Sequence, residues 1–311
     1  MKFLTSLVVL ALAVVTACKP KPPVDSSQDA SSKLLNVVAT TGMIADMASQ
    51  IAGDKAQVTT LMGPGVDPHL YKATAGDVAA LQTADVILYN GLFLEGRMAE
   101  LLREISGSGR ITVALGEKLP SESVLHPDGG TGHADPHIWH DVSLWAQCIP
   151  HVQEALSHAR PEYAQEFKTR AEDVQRRYQE LDQWVHAEIQ SIPETRRVLV
   201  TSHDAYEYFG RAYGLQVVGL QGISTATEAG LADMAKLADF IRERGVPAIF
   251  VESSVPQGAI QQLSRETGAK VGGELYSDAL GTPGEVKGGY DPGTYDGMIR
   301  HNVITIVSAL R

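Results

Sequence analysis

Along this chain, short apolar runs alternate with longer segments whose apolar residues recur every three or four positions. The short runs predict strands at residues 34–40, 57–62, 85–89 and 110–115, and the longer segments predict helices at 42–52, 77–84, 95–105 and 142–158. Apolar strands separated by helices indicate a parallel sheet covered on both faces. The rhythm breaks between residues 161 and 191. That run has no Gly, opens on Pro161, stops before Pro193, and carries Tyr163, Phe167, Val174, Tyr178, Leu181, Val185 and Ile189 at spacings of three, four and seven. This pattern predicts one helix, and about 30 residues at about 1.5 Å each make a rod of roughly 45 Å. A crossover in a small sheet needs no such length, so the helix reads as a strut between two lobes; a long surface helix within one domain is the alternative. Strands at 198–201, 216–220, 248–251 and 270–275 then alternate with helices at 205–213, 231–244, 257–267 and 295–310. The expected fold is α/β, with two lobes at 33–159 and 193–311 joined by a linking helix at 160–192. Each lobe is expected to hold a four-stranded, mainly parallel sheet flanked by helices.

The N-terminus changes the compartment. Lys2 precedes an almost unbroken apolar run at residues 3–15, followed by Val15-Thr16-Ala17-Cys18. A membrane-spanning helix needs about 20 apolar residues, whereas this run fits the core of a secretory signal. Small residues leading into a Cys resemble a bacterial lipobox, in which residues 1–17 are removed and Cys18 is acylated; ordinary signal cleavage beside an incidental Cys is the alternative. Residues 18–32, rich first in Pro and then in Ser and Asp, read as a tether that buries no core. The protein is therefore expected to be exported and lipid-anchored to the cell membrane. Only Cys148 remains, so no internal disulfide forms, and its neighbours Leu144, Trp145 and Ile149 make it a buried structural residue. The net charge of −11 argues against nucleic acid and against a polybasic grip on anionic lipid.

The candidate chemistry lies in a tripeptide that occurs twice, Asp67-Pro68-His69 and Asp135-Pro136-His137. An imidazole behind a rigid proline is held in place, and neutral imidazole is the commonest metal-ligating side chain. His203 and Asp278 are two further candidates. All four follow or end predicted strands, where open α/β sheets bind ligands, and each lobe supplies two. A lone His is more often an ordinary surface or core residue; the shared position is what favours metal. Catalytic zinc sites keep a position open for water, so four protein ligands suggest holding rather than chemistry. A surface zinc metallohydrolase, with Glu252 or Asp204 as general base, would need that open position, and no Gly-x-Ser-x-Gly occurs. A surface adhesin would make no demand on the four residues.

Longer motifs carry a resemblance. Gly65-Val66-Asp67-Pro68-His69 with Tyr71 and Thr74, Asp135-Pro136-His137-Ile138-Trp139, Thr201-Ser202-His203-Asp204-Ala205-Tyr206, Val251-Glu252-Ser253 and Tyr276-Ser277-Asp278-Ala279-Leu280-Gly281 are similar to those of the metal-binding lipoproteins of zinc and manganese ABC importers. These are the cluster A-I solute-binding proteins, and the likeness is to the TroA type over nearly the whole mature chain. It implies two lobes on a rigid helix, one Zn2+ or Mn2+ held by His69, His137, His203 and Asp278, no catalytic cofactor, and delivery by a monomer to an ABC permease and its ATPase. A rigid strut would let metal capture order loops and tilt a lobe slightly rather than swing it. The family usually has Leu and Asp-Pro after the Trp, where this chain has His140-Asp141-Val142. His140 is thus a candidate nearby titrating residue or additional ligand, and His126 and His133, in the loop before His137, are candidates for loose metal collection. Three nitrogens favour zinc, while a carboxylate using both oxygens suits manganese. Affinity is expected to fall below about pH 6 as protons compete for the imidazoles.

Overall fold

Strand β1 (Leu35–Thr41) leads into helix α1 (Gly42–Ala52) in the computed structural model, which describes residues 34–127 and 132–311. The expected signal peptide, Cys18 and the tether lie outside the described residues. Strand β2 (Ala56–Met62), helix α2 (Ala75–Thr83), strand β3 (Val86–Tyr89), helix α3 (Ala99–Ser106) and strand β4 (Ile111–Ala114) complete one parallel sheet of order β2-β1-β3-β4. Successive strand residues point to opposite faces. Val37 and Ala39 of β1 and Val86 and Leu88 of β3 therefore enter the main core with α1. The intervening Val38 and Ile87 enter a second core with Leu81 of α2 and Met98, Leu102 and Ile105 on the α3 side. Both faces are covered, as the continuous apolar runs require.

Two helices differ from expectation, each for a local reason. The segment expected to be helical from residue 95 becomes α3 only at Ala99, because Glu95 is turned inward. Its carboxylate accepts the Thr40 hydroxyl at 2.7 Å and the Asn90 and Gly91 N–H groups at 2.8 and 3.1 Å. The helix expected at 142–158 is broken into α4 (Val142–Ala146) and α5 (Ile149–Ala159). Pro150 lacks an N–H and its ring clashes with the carbonyl four residues back, at Ala146. Cys148 is buried at this break as a free thiol, and burial pushes its pKa up, leaving it inert.

Helix α6 (Ala164–Gln190) has 27 residues, or about 40 Å at about 1.5 Å per residue. Phe167, Ala171, Val174, Tyr178, Leu181, Val185 and Ile189 form one buried stripe along it. The strands and α-helices that follow are strand β5 (Val198–His203), helix α7 (Glu207–Tyr213), strand β6 (Gln216–Gln221), helix α8 (Leu231–Arg244), strand β7 (Ala248–Glu252), helix α9 (Gly258–Thr267), strand β8 (Lys270–Leu275) and helix α10 (Tyr295–Leu310). Helix α6 packs on α1, α4 and α5 from the first half and on α7 and α10 from the second. The main core runs through it without interruption. In the second half the strand faces divide as before: Leu199 and Phe250 join the main core, while Val200, Ile249 and Val251 pack with Leu237, Ile241, Ile260 and Leu263 of α8 and α9.

The four-stranded sheet expected in the second half is instead two parallel pairs, β5-β6 and β7-β8, with β5 running beside β7. The β7-β8 ladder shifts register between Ile249 and Phe250, and such a shift bends a strand. At the end of β5 the His203 N–H is taken by the Glu252 side chain at 2.9 Å rather than by a carbonyl of β7. Among the described residues no helix is long and apolar enough to cross a membrane.

Candidate metal centre

Both Asp-Pro-His tripeptides fold as the same turn. Asp67 Oδ1 accepts the His69 N–H at 2.8 Å, and Asp135 Oδ1 accepts the His137 N–H at 3.0 Å. This is an Asx turn, in which the Asp side chain replaces a backbone acceptor, with the intervening proline limiting φ. The Asp67 turn is anchored to the second half by the Thr225 hydroxyl, which donates to Asp67 Oδ2 at 2.6 Å. His203 ends β5, where the chain passes against β6 so closely that a Cβ on Gly219 would sit 2.6 Å from the Asp204 backbone N. Asp278 lies in the loop after β8, where its Oδ2 accepts Ser254 Oγ at 3.2 Å.

The four side chains converge. Each offers one ligand atom, and these atoms all lie within 4.8 Å of one another. His69 Nε2 is 3.2 Å from His137 Nε2. Asp278 straddles the other two imidazoles, with Oδ1 3.4 Å from His137 Nε2 and Oδ2 3.4 Å from His203 Nε2. Zinc bonds of about 2.0–2.1 Å place tetrahedral ligands about 3.3–3.4 Å apart, so these separations suit a small divalent cation. His69 is 6% exposed, and His137, His203 and Asp278 are fully buried.

Two supporting carboxylates, not foreseen in that role, fix the rings. Asp135 Oδ1 accepts His137 Nδ1 at 2.7 Å, and Glu252 Oε2 accepts His203 Nδ1 at 2.5 Å. Both contacts direct Nε2 toward the centre and set the tautomer, a common arrangement behind metal-binding imidazoles. Burial opposes charge on His137, but Asp135 and Asp278 outweigh it and lift the imidazole to about 9. Burial likewise opposes charge on His203, and Glu252 with Asp278 carries it well above the ordinary value. Burial would raise Asp278, yet the two imidazoles hold it well below the usual carboxylate range. His69 is driven down to about 3 by burial, against the pull of Asp278. Glu252→Gln keeps the size of the side chain and removes its charge. It is expected to weaken zinc binding by about 10–100-fold, which competition with a calibrated chelator measures.

His140 is not in the cluster. It is fully buried, Nε2 lies 3.1 Å from the Ser277 carbonyl, and burial with the nearby His137 holds its pKa down to about 3, so it is neutral. His133 stands at the mouth instead, lining a cavity of about 420 Å³ with His69, Leu92, Phe93 and Asp204. Its ring stacks on Phe93 at 4.0 Å and 2° between planes. Leu92 and Phe93 hold left-handed backbone at φ 51° and 68°, strain of a kind that clusters beside binding sites. His126 lines a smaller adjoining pocket with Asp204 and Glu207.

Fold and cluster together define a class, an α/β protein whose halves bring a buried set of metal-ligating side chains together. The chain belongs to the family described as zinc-uptake complex component A, periplasmic (ZnuA), whose model matches residues 37–309. It is 48% identical to the zinc-binding protein TroA of Treponema pallidum over 88% of each chain. It is 42% identical to the manganese-binding lipoprotein MntA of Bacillus subtilis over 99% of each. The solved structure of the periplasmic zinc-binding protein TroA from Treponema pallidum matches with a TM-score of 0.84 at 47% identity, covering 89% of this chain and 99% of that one.

Proposed function

We propose that this chain is an extracytoplasmic solute-binding protein that captures zinc or manganese through His69, His137, His203 and Asp278. It hands the metal to the permease of an ABC importer powered by its ATPase. In this reading it works as a monomer anchored to the membrane through Cys18, and it catalyses no reaction. Lobes at 33–159 and 193–311 hold the two walls of the cleft, and the helix between them limits their motion. The observation that carries the reading is the convergence of four ligand atoms, from three loops and the end of β5, within 4.8 Å. Relatives named for zinc and for manganese support the choice of cargo. Zinc binds a generic nitrogen and oxygen site more tightly than manganese, so the isolated protein favours zinc. The two oxygens that Asp278 turns toward different imidazoles leave room for a larger coordination number.

A strain lacking the gene is expected to grow poorly in metal-depleted medium and to recover on adding zinc or manganese, whichever is the cargo. The intact gene should restore growth and radiolabelled metal uptake, and a His69→Ala copy should not. Normal uptake of both metals without the gene would sink the reading.

A further inference from the structure

One backbone carbonyl joins the loop that carries His137 to the loop that carries Asp278. The Ser277 carbonyl accepts the Trp139 indole N–H at 2.8 Å and His140 Nε2 at 3.1 Å, two donors from consecutive residues of the other half. Trp139, His140 and Ser277 are all buried. Ser277 immediately precedes Asp278, so whatever fixes its carbonyl fixes the peptide from which the Asp278 side chain starts. The same bridge is secured from behind by Tyr295 Oη, which donates to the Trp139 carbonyl at 2.7 Å.

His140 adds a chemical cost to this arrangement. Its Nδ1 is buried with no hydrogen-bond partner among the described residues. An unsatisfied buried nitrogen is unfavourable by about 1–3 kcal/mol, and an apolar side chain would fill the same space without that loss. The ring also packs on Tyr206, with centroids 4.3 Å apart, and Tyr206 Oη donates to the Tyr276 carbonyl at 3.1 Å, one residue before Ser277. Among the described residues, the hydrogen bond that the His140 side chain makes is the one to Ser277.

We propose that His140 is a positioning residue for metal retention: its Nε2–H bond to the Ser277 carbonyl holds the Asp278 loop against the His137 loop and slows the release of bound metal. The inference rests on the carrier reading above. Asp278 meets His137 Nε2 and His203 Nε2 at 3.4 Å each, and the Trp139 and His140 bonds to the Ser277 carbonyl tie its loop to the first half. Loss of the His140 donor leaves Trp139 alone on the carbonyl and lets the carboxylate drift.

The test uses the purified protein loaded with one equivalent of zinc and chased with excess chelator. His140→Leu, which fills the site but donates nothing, is expected to release zinc about 10-fold faster. His140→Gln carries an amide N–H at a similar reach and should return the rate toward that of the unchanged protein. An unaltered rate in His140→Leu, or equal rates in the Leu and Gln variants, overturns the proposal in favour of plain packing. If the unchanged protein fails to bind zinc, the carrier reading fails instead, and the two failures are thereby distinguished. Nitrogen-15 spectra of the histidine side chains give an independent readout that needs no variant to fold. His140 is expected as the Nε2–H tautomer with a slowly exchanging proton; the Nδ1–H tautomer overturns the assignment.

Discussion

His69→Ala is expected to lose its bound metal and keep its fold. The imidazole of His69 is neutral at working pH, held down to about 3 by burial, and its ring nitrogen contact is to His137 at 3.2 Å. Truncation therefore leaves no buried ion without a partner. It removes one of the four proposed ligands from a set that spans only 4.8 Å, and the loss of zinc affinity should exceed the roughly 10–100-fold that a supporting residue contributes. Elemental analysis of the purified variant should find no stoichiometric zinc or manganese, while the thermal midpoint without metal stays near that of the unchanged protein. His203→Ala makes the contrast. It strips Glu252 of the imidazole 2.5 Å away and leaves that carboxylate buried, a change that commonly costs about 3–5 kcal/mol. That variant should lose both metal and stability. One retained equivalent of metal in His69→Ala would refute the assignment of the centre.

The contrast also marks what a single sequence can and cannot disclose here. His69, His137, His203 and Asp278 are legible because each follows or ends an apolar strand, and because the repeated Asp-Pro-His is a local device whose geometry depends on three adjacent residues. Asp135 belongs to that same tripeptide, so the turn it makes onto the His137 N–H could have been read from the motif, although its grip on His137 Nδ1 has no counterpart between Asp67 and His69. Glu252 could not: its partner His203 lies 49 residues away, and the contact exists because β5 lies beside β7, a matter of tertiary packing. For the same reason His140 reads as a spare ligand until its partner, Ser277, is found 137 residues away. The stripe on α6 is visible because it follows the helical period from Phe167 to Ile189. The split between α4 and α5 was legible too, in Pro150, but an otherwise helical apolar pattern conceals it.

Metal affinity is expected to decline as pH falls from about 9, well before the pH of about 6 at which an ordinary imidazole would begin to compete. The sign follows from the two lifted imidazoles. His137, raised to about 9, and His203, raised well above its usual value, carry protons in the metal-free protein at neutral pH, and a metal must displace both. Each displaced proton makes affinity fall about tenfold per pH unit, so two give a fall of up to about 100-fold per unit. Between pH 8 and 6 His137 alone accounts for a loss on the order of 100-fold, and His203, raised in the same direction, steepens it. The metal-free fold moves the other way. A group whose folded pKa lies above its unfolded value of about 6.5 adds stability below that value, and the contribution disappears as pH rises through the folded pKa. Raising the pH toward 9 therefore weakens the metal-free protein while it strengthens metal binding, and the thermal shift on adding zinc should grow across that interval. Chelator competition at several pH values, corrected for the protonation of the chelator, measures the affinity directly, and zinc added without buffer should release between one and two protons at pH 7. Asp135→Asn removes the carboxylate 2.7 Å from His137 and should move the onset of the decline to lower pH. A flat affinity from pH 9 to 7, with no proton released, would show that neither imidazole holds the proton that its carboxylate neighbours impose.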